Sequence, residues 1–255
     1  MNLLSVRNLT VRFGGVHALD NVDLDVAEGE LFGLIGPNGA GKTTTIEAIS
    51  GFLPHATGSV EFAGRPLTGL APHRRAQLGL VRTFQAIELF DDLTIRENLI
   101  TAAHRRTWWQ SLGDLVAPRR DSDVAVVDRV LELLDLTAVA DQRPPELSQG
   151  QRKLAGVARS LACSPRLVLL DEPAAGLDSD ESLALGDRLR AVVDSGVTVV
   201  LVDHDMGLVL GACDRIVVLD FGKVLAAGTP AEIRADERVI AAYLGDDVLA
   251  ETEET

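Results

Sequence analysis

The chain has 255 residues, 46% of them apolar, and carries 24 Lys+Arg against 38 Asp+Glu for a net charge of −14. That apolar content suffices for one large domain, or one domain with an insertion, and excludes wholesale disorder. The acidity argues against nucleic acid as a partner and against adhesion to anionic lipid by charge alone.

Only Lys42, Lys153 and Lys223 are lysines, so the placement of lysine is informative. Cys163 and Cys213 make no disulfide framework and read as small buried hydrophobes in a reducing compartment. Residues 1–13 alternate apolar with polar side chains instead of forming an apolar core, so no secretory leader is expected. No apolar run approaches the ~18 residues of a membrane span, and a soluble chain is expected.

Residues 4–13 and 22–26 alternate as half-buried antiparallel strands do. Residues 30–35 are a denser apolar strand, followed by a glycine-rich turn and a helix over 43–53 with Ile46, Ile49, Phe52 and Leu53 on its apolar side. The middle of the chain is helical in pattern. Within it, 123–136 puts Val126, Val130, Leu133 and Leu134 on one stripe. Then α/β alternation resumes: helix 152–162, strand 167–170, helix 182–193 and strand 197–202. Continuous Val/Leu runs between helices indicate parallel strands covered on both faces. A hairpin over 216–226 turns at Asp220-Phe221-Gly222-Lys223, and Thr229-Pro230-Ala231-Glu232 is a capping box that opens a last helix.

Three motifs carry chemistry. Gly36, Pro37, Asn38, Gly39, Ala40, Gly41, Lys42 and Thr43 spell GPNGAGKT, a phosphate-binding loop between strand and helix, with Thr44 next. Its glycines let backbone N–H groups turn onto a polyphosphate, Lys42 would reach the β- and γ-phosphates, and the Thr43 hydroxyl would ligate Mg²⁺. The strand LVLLDE ends in Asp171 and Glu172, at the carboxyl end of a parallel strand where open α/β sheets bind ligands. There Asp171 would hold the Mg²⁺ side and Glu172 would polarise the water attacking the γ-phosphate. The segment Leu147-Ser148-Gln149-Gly150-Gln151 opens a helix, and Ser148 with the Gly150 backbone forms a second helix end suited to an anion. Its plain alternative is an ordinary serine N-cap.

In this order, the phosphate loop, Gln85, LSQGQ, LVLLDE and His204 closely resemble the ATP-binding subunit of ABC transporters. The resemblance implies an α/β fold: a RecA-like phosphate-loop core with an N-terminal antiparallel β-subdomain and an inserted α-helical subdomain. It places the core at 1–84 and 151–245, the helical subdomain at 85–150, and an acidic tail at 246–255. It implies ATP and Mg²⁺ as cofactors and a head-to-tail dimer with a second ATP-binding subunit. Each ATP would sit between one subunit's phosphate loop and its partner's Ser148, Gly150 and Gln151. Phe13 falls where the family stacks an aromatic ring on adenine, and Asp178 falls on the loop that crosses the dimer. Gln85 matches the glutamine that senses Mg²⁺ and the attacking water. His204 matches the histidine that holds the γ-phosphate.

Each of these has a plain reading too: Phe13 as a strand-end core residue, Gln85 and His204 as surface polar groups. His17, His55, His73 and His104 have no partners at ligand spacing. Trp108 and Trp109 could cap a partner-binding surface, and core packing fits them at least as well.

Gln149 replaces the first glycine of the common LSGGQ form. That departure, with the sequence around Gln85, Asp203-His204-Asp205-Met206 and the ending 239–245, is similar to import ATPases of the branched-chain amino-acid type. The implied setting is the cytoplasmic face of the cell membrane, held there by membrane-spanning permeases and served indirectly by a periplasmic or lipid-anchored binding protein. Other importers (urea, amides, aromatic acids), lipopolysaccharide export and a soluble scaffold ATPase for metal-cluster assembly stay open.

Overall fold

The N-terminal hairpin is longer than the alternation suggests. In the computed structural model, which describes residues 2–83, 89–103 and 121–243, β1 (Asn2–Phe13) pairs antiparallel with β2 (Val16–Ala27). Leu4, Val6 and Val11 of β1 face the same interior as Val22, Leu24 and Val26 of β2. Two further strands, β4 (Thr57–Phe62) and β5 (Arg65–Pro66), complete a sheet in the order β2-β1-β4-β5.

The second sheet has six strands in the order β10-β9-β3-β8-β7-β6: β3 (Leu31–Ile35), β6 (Leu80–Arg82), β7 (Leu167–Asp171), β8 (Thr198–Val202), β9 (Arg215–Asp220) and β10 (Lys223–Gly228). All its pairings are parallel except β9 with β10. Strand alternation divides its side chains between two cores. Phe32, Leu34, Leu167, Leu169 and Val200 point towards the first sheet and α1 (Lys42–Ser50). Leu31, Ile35, Val168, Leu170 and Leu201 point towards α5 (Gln149–Ala162), α6 (Ser179–Asp194) and α7 (Met206–Ala212). Gly33 makes the close approach of α7 to the sheet possible, because a Cβ there would lie 2.9 Å from Val209 Cγ1 and 3.1 Å from Cys213 Sγ.

The remaining helices are α2 (Pro72–Gln77), α3 (Ile95–Ala103), α4 (Asp121–Leu133) and α8 (Pro230–Ala235). Helix α1 stops at Ser50 instead of 53, because Gly51 adopts φ 90 and donates to the Ala48 and Glu47 carbonyls; Phe52 and Leu53 lie beyond it. Arg75 of α2 closes the same end. Its Nη1 donates to the carbonyls of Ala48 (3.0 Å) and Ile49 (2.7 Å), setting a cation on the negative pole of α1.

In and just after α4 the buried positions are Val127, Val130, Leu131 and Leu134, with Val126 and Leu133 only half-buried, so the apolar stripe is rotated from the expected one. Helix α5 begins at Gln149, three residues earlier than the periodicity suggests, and runs continuously through the expected division at 150. The capping box at Thr229 holds, with Thr229 Oγ1 accepting from the Glu232 N–H. Gln85, His104, Trp108, Trp109 and the expected tail 246–255 lie outside the described residues.

Candidate nucleotide site

The loops that follow β3, β7 and β8 gather at the carboxyl end of the six-stranded sheet. The 36–41 loop turns through Gly36 (φ 153), Gly39 (φ 79) and Gly41 (φ 102) into α1. Two of these glycines are packed tightly: a Cβ on Gly36 would lie 2.2 Å from the Leu219 carbonyl oxygen, and one on Gly41 2.7 Å from that of Ala18. Gly39 faces open space. The turn after β9 braces the loop, with Gly222 N–H donating to the Ala40 carbonyl at 3.0 Å. Gly41 has no side chain to cap α1, so the first-turn N–H groups at Lys42, Thr43 and Thr44 are left to an anion. Lys42 is 7% exposed, and its Nζ donates to the carbonyls of Gly36 (2.6 Å) and Pro37 (3.0 Å). The ammonium is thus stored inside the loop that a polyphosphate would enter.

Asp171 ends β7 and is 2% exposed. Its Oδ2 accepts from Arg82 Nη2 at 2.9 Å, while its Oδ1 is buried without a hydrogen-bond partner. A buried carboxylate oxygen left unmatched fits a hard cation, and Thr43 supplies a second oxygen of the type Mg²⁺ takes. Among the described residues no cluster of three His, Cys, Asp or Glu holds a metal unaided, so such a cation would be completed by phosphate oxygens and water.

The next residue, Glu172, takes φ 50 and donates its N–H to the Val202 carbonyl at 2.7 Å. This left-handed turn carries the chain sharply off the end of the sheet. Asp203, fully buried at the end of β8, ties the following loop to the histidine. Its Oδ2 accepts from Ala174 N–H (3.0 Å), and its Oδ1 from the N–H groups of His204 (2.8 Å) and Asp205 (3.1 Å). The His204 ring, 61% exposed, places Nδ1 3.6 Å from the same Oδ1. In the sequence Asp203 stands only as a family mark. The visible signal was that it ends a Val/Leu strand as Asp171 does.

Ser148 caps α5 in a reciprocal box: its Oγ accepts from Gln151 N–H at 3.2 Å, and its own N–H donates to Gln151 Oε1 at 3.0 Å. Asp178 does the same for α6, accepting from Glu181 N–H at 2.8 Å. A Cβ on Gly150 would lie 2.9 Å from Glu181 Oε1, so the two helix ends touch. Phe13, 50% exposed at the end of β1, meets the His55 ring edge-on with centroids 5.4 Å apart.

A family model described as ABC transporter matches residues 19–175, more than half of the chain and spanning both the phosphate loop and the Asp171-Glu172 strand end. The chain belongs to the ABC transporter family. A second model, branched-chain amino acid ATP-binding cassette transporter, matches 223–248 of this cassette. The cassette is 41% identical over 252 residues to the high-affinity branched-chain amino acid transport ATP-binding protein BraF of Pseudomonas aeruginosa, covering 96% of this chain and 98% of the relative. It is 38% identical over 250 residues to LivG of Escherichia coli, with 96% and 98% covered. Among solved structures, an ATP-binding cassette of an ABC transporter in its ADP conformation superposes with TM-score 0.85 at 31% identity, covering 96% of this chain and 99% of that one. The cassette is therefore an ATPase of the ABC type with the expected fold, and among the described residues no helix is long and apolar enough to cross a membrane.

Proposed function

We propose that the cassette hydrolyses ATP to drive a membrane importer of branched-chain amino acids. The observation that carries the cargo class is the near full-length identity to BraF and LivG, joined by the separate match over 223–248. A second reading, lipopolysaccharide export, is supported by the 34% identity over 250 residues to LptB of Escherichia coli, which is lower than the identity to BraF and LivG.

Each site residue has a role in this reading. Lys42 leaves its carbonyl partners to neutralise the β- and γ-phosphates, and the N–H groups of Gly39 through Thr44 cradle them. Phe13 stacks on adenine. Thr43, Asp171 and Gln85 would hold Mg²⁺, which when bound would neutralise charge on the phosphate oxygens. Glu172 takes the proton of the attacking water as its oxygen bonds to the γ-phosphorus and the bond to the ADP oxygen breaks. His204, fixed through Asp203, supports the γ-phosphate. Ser148, Gly150 and Gln151 close on the ATP of a partner cassette, and Asp178 lines that interface. A dimeric cassette in a post-hydrolysis state bound to ADP and Pi, 27% identical with TM-score 0.72, supports this arrangement.

The segment 85–150 forms the helical subdomain that docks the permeases, and 1–84 with 151–245 the core. The cassette works at the cytoplasmic face of the membrane, alongside a periplasmic or lipid-anchored binding protein. Tagged Glu172→Gln protein, recovered from detergent-solubilised native membranes with Mg-ATP, tests this. Two multi-span permeases and an adjacent amino-acid binding protein are expected. Recovery of soluble assembly factors with no membrane protein would overturn the transport reading.

A further inference from the structure

Arg82 is the last residue of β6, and its side chain is 8% exposed. Its Nη2 donates to Asp171 Oδ2 at 2.9 Å, and its Nη1 lies 3.9 Å from Glu47 Oε1 on α1. Glu47 stands one turn after Thr43, on the same face of α1. The guanidinium also lies 5.8 Å from the centroid of the Phe52 ring. It therefore joins three parts of the site: the strand leading towards Gln85, the carboxylate at the end of β7, and the helix behind the phosphate loop.

The two oxygens of Asp171 are treated differently. One is occupied by the guanidinium; the other is buried and unmatched. A carboxylate held in this way presents a single oxygen to a cation. Mg²⁺ accepts single oxygens at near-ideal octahedral positions, whereas Ca²⁺ gains from carboxylates that bind through both oxygens and tolerates irregular shells.

We propose that Arg82 is a positioning residue that restricts Asp171 to one metal-facing oxygen and so sets the site's preference for Mg²⁺ over Ca²⁺. The inference rests on the reading of Asp171 as the metal-side carboxylate. With the guanidinium removed, the carboxylate turns freely, both oxygens become available, and a positive charge near the cation is lost. The larger ion gains most from that change. A purely structural ion pair would weaken the fold, but it would not alter the ratio between two divalent ions.

The test measures nucleotide binding, with no turnover required. Binding of a fluorescent ATP analogue to the full chain is titrated with Mg²⁺, with Ca²⁺ and in EDTA, for wild type, Arg82→Met and Arg82→Lys. Removal of such a partner changes metal affinity by about tenfold or more. The Mg²⁺ to Ca²⁺ preference is expected to fall by about tenfold in Arg82→Met, with affinity in EDTA within about twofold of wild type. Arg82→Lys retains a donor for the same oxygen and is expected to keep most of the preference. Arg82→Gln, polar and too short to reach, replaces the Met variant if that chain does not fold. An unchanged preference in the Met or Gln variant, or an equal loss of affinity in EDTA, overturns the proposal. Failure of wild type to bind the analogue at all would instead overturn the nucleotide reading.

Discussion

The Gln149 amide covers Gly176 so closely that a Cβ on residue 176 would lie 2.5 Å from Gln149 Nε2. The residue that departs from the common LSGGQ form thus rests on the loop four residues beyond Glu172. Gly176 also takes φ 79, where an L side chain costs roughly 1–2 kcal/mol. Gly176→Ala is therefore expected to lower unfolding stability by about 2 kcal/mol in urea titrations. The Gln149 amide is the far end of a flexible side chain and can swing aside, so the backbone accounts for most of that loss. Adding Gln149→Gly should therefore be close to additive with it, which a double-mutant cycle reads directly.

Glu172 holds its candidate catalytic carboxylate on a strained backbone, at φ 50. Asn tolerates that region better than Glu. Glu172→Asn should gain about 0.5–1 kcal/mol in thermal unfolding while ATP turnover falls at least about a hundredfold. A variant that lost stability would show the strain to be absent.

Asp203 accepts three backbone N–H groups with no exposure to water. Asp203→Ala strands all three donors. An expected loss of about 3 kcal/mol or more, with ATP turnover falling alongside it, is checked by denaturation and phosphate release. Asp203→Asn keeps one carbonyl oxygen and should fall between.

Burial opposes the charge on Asp205, but the Ser182 hydroxyl and the N–H groups of Leu208 and Gly207 outweigh it, and its carboxyl sits below the ordinary value. The folded value being the lower one, the stabilisation is present above about pH 4 and is lost as pH falls through the folded value. Asp205→Asn should thus lower stability at neutral pH and flatten the acid side of a stability–pH curve below about pH 4.

What the sequence reveals depends on how local each signal is. The phosphate loop, the apolar strand ending in Asp171-Glu172 and the Thr229 capping box are contiguous and were legible. Strand β6 has three residues and becomes a strand only because β7 lies beside it. Helix α7 contains Gly207 and Gly211, which disfavour helix; the Asp205 cap and the space over Gly33 form it instead. The tasks of Asp203 and Arg82 stay hidden because their partners lie 29 and 89 residues away.

Strand β3 lies between β8 and β9, pairing with residues 199–202 on one side and 215–218 on the other. The strand that delivers the phosphate loop therefore waits for most of the chain before its neighbours exist. On the ribosome, no nascent chain shorter than about 218 residues completes this pairing, so the full sheet beneath the nucleotide site forms late. Completion of the site is a late event in the life of the molecule, and a premature stop anywhere before β9 discards the activity along with the missing residues.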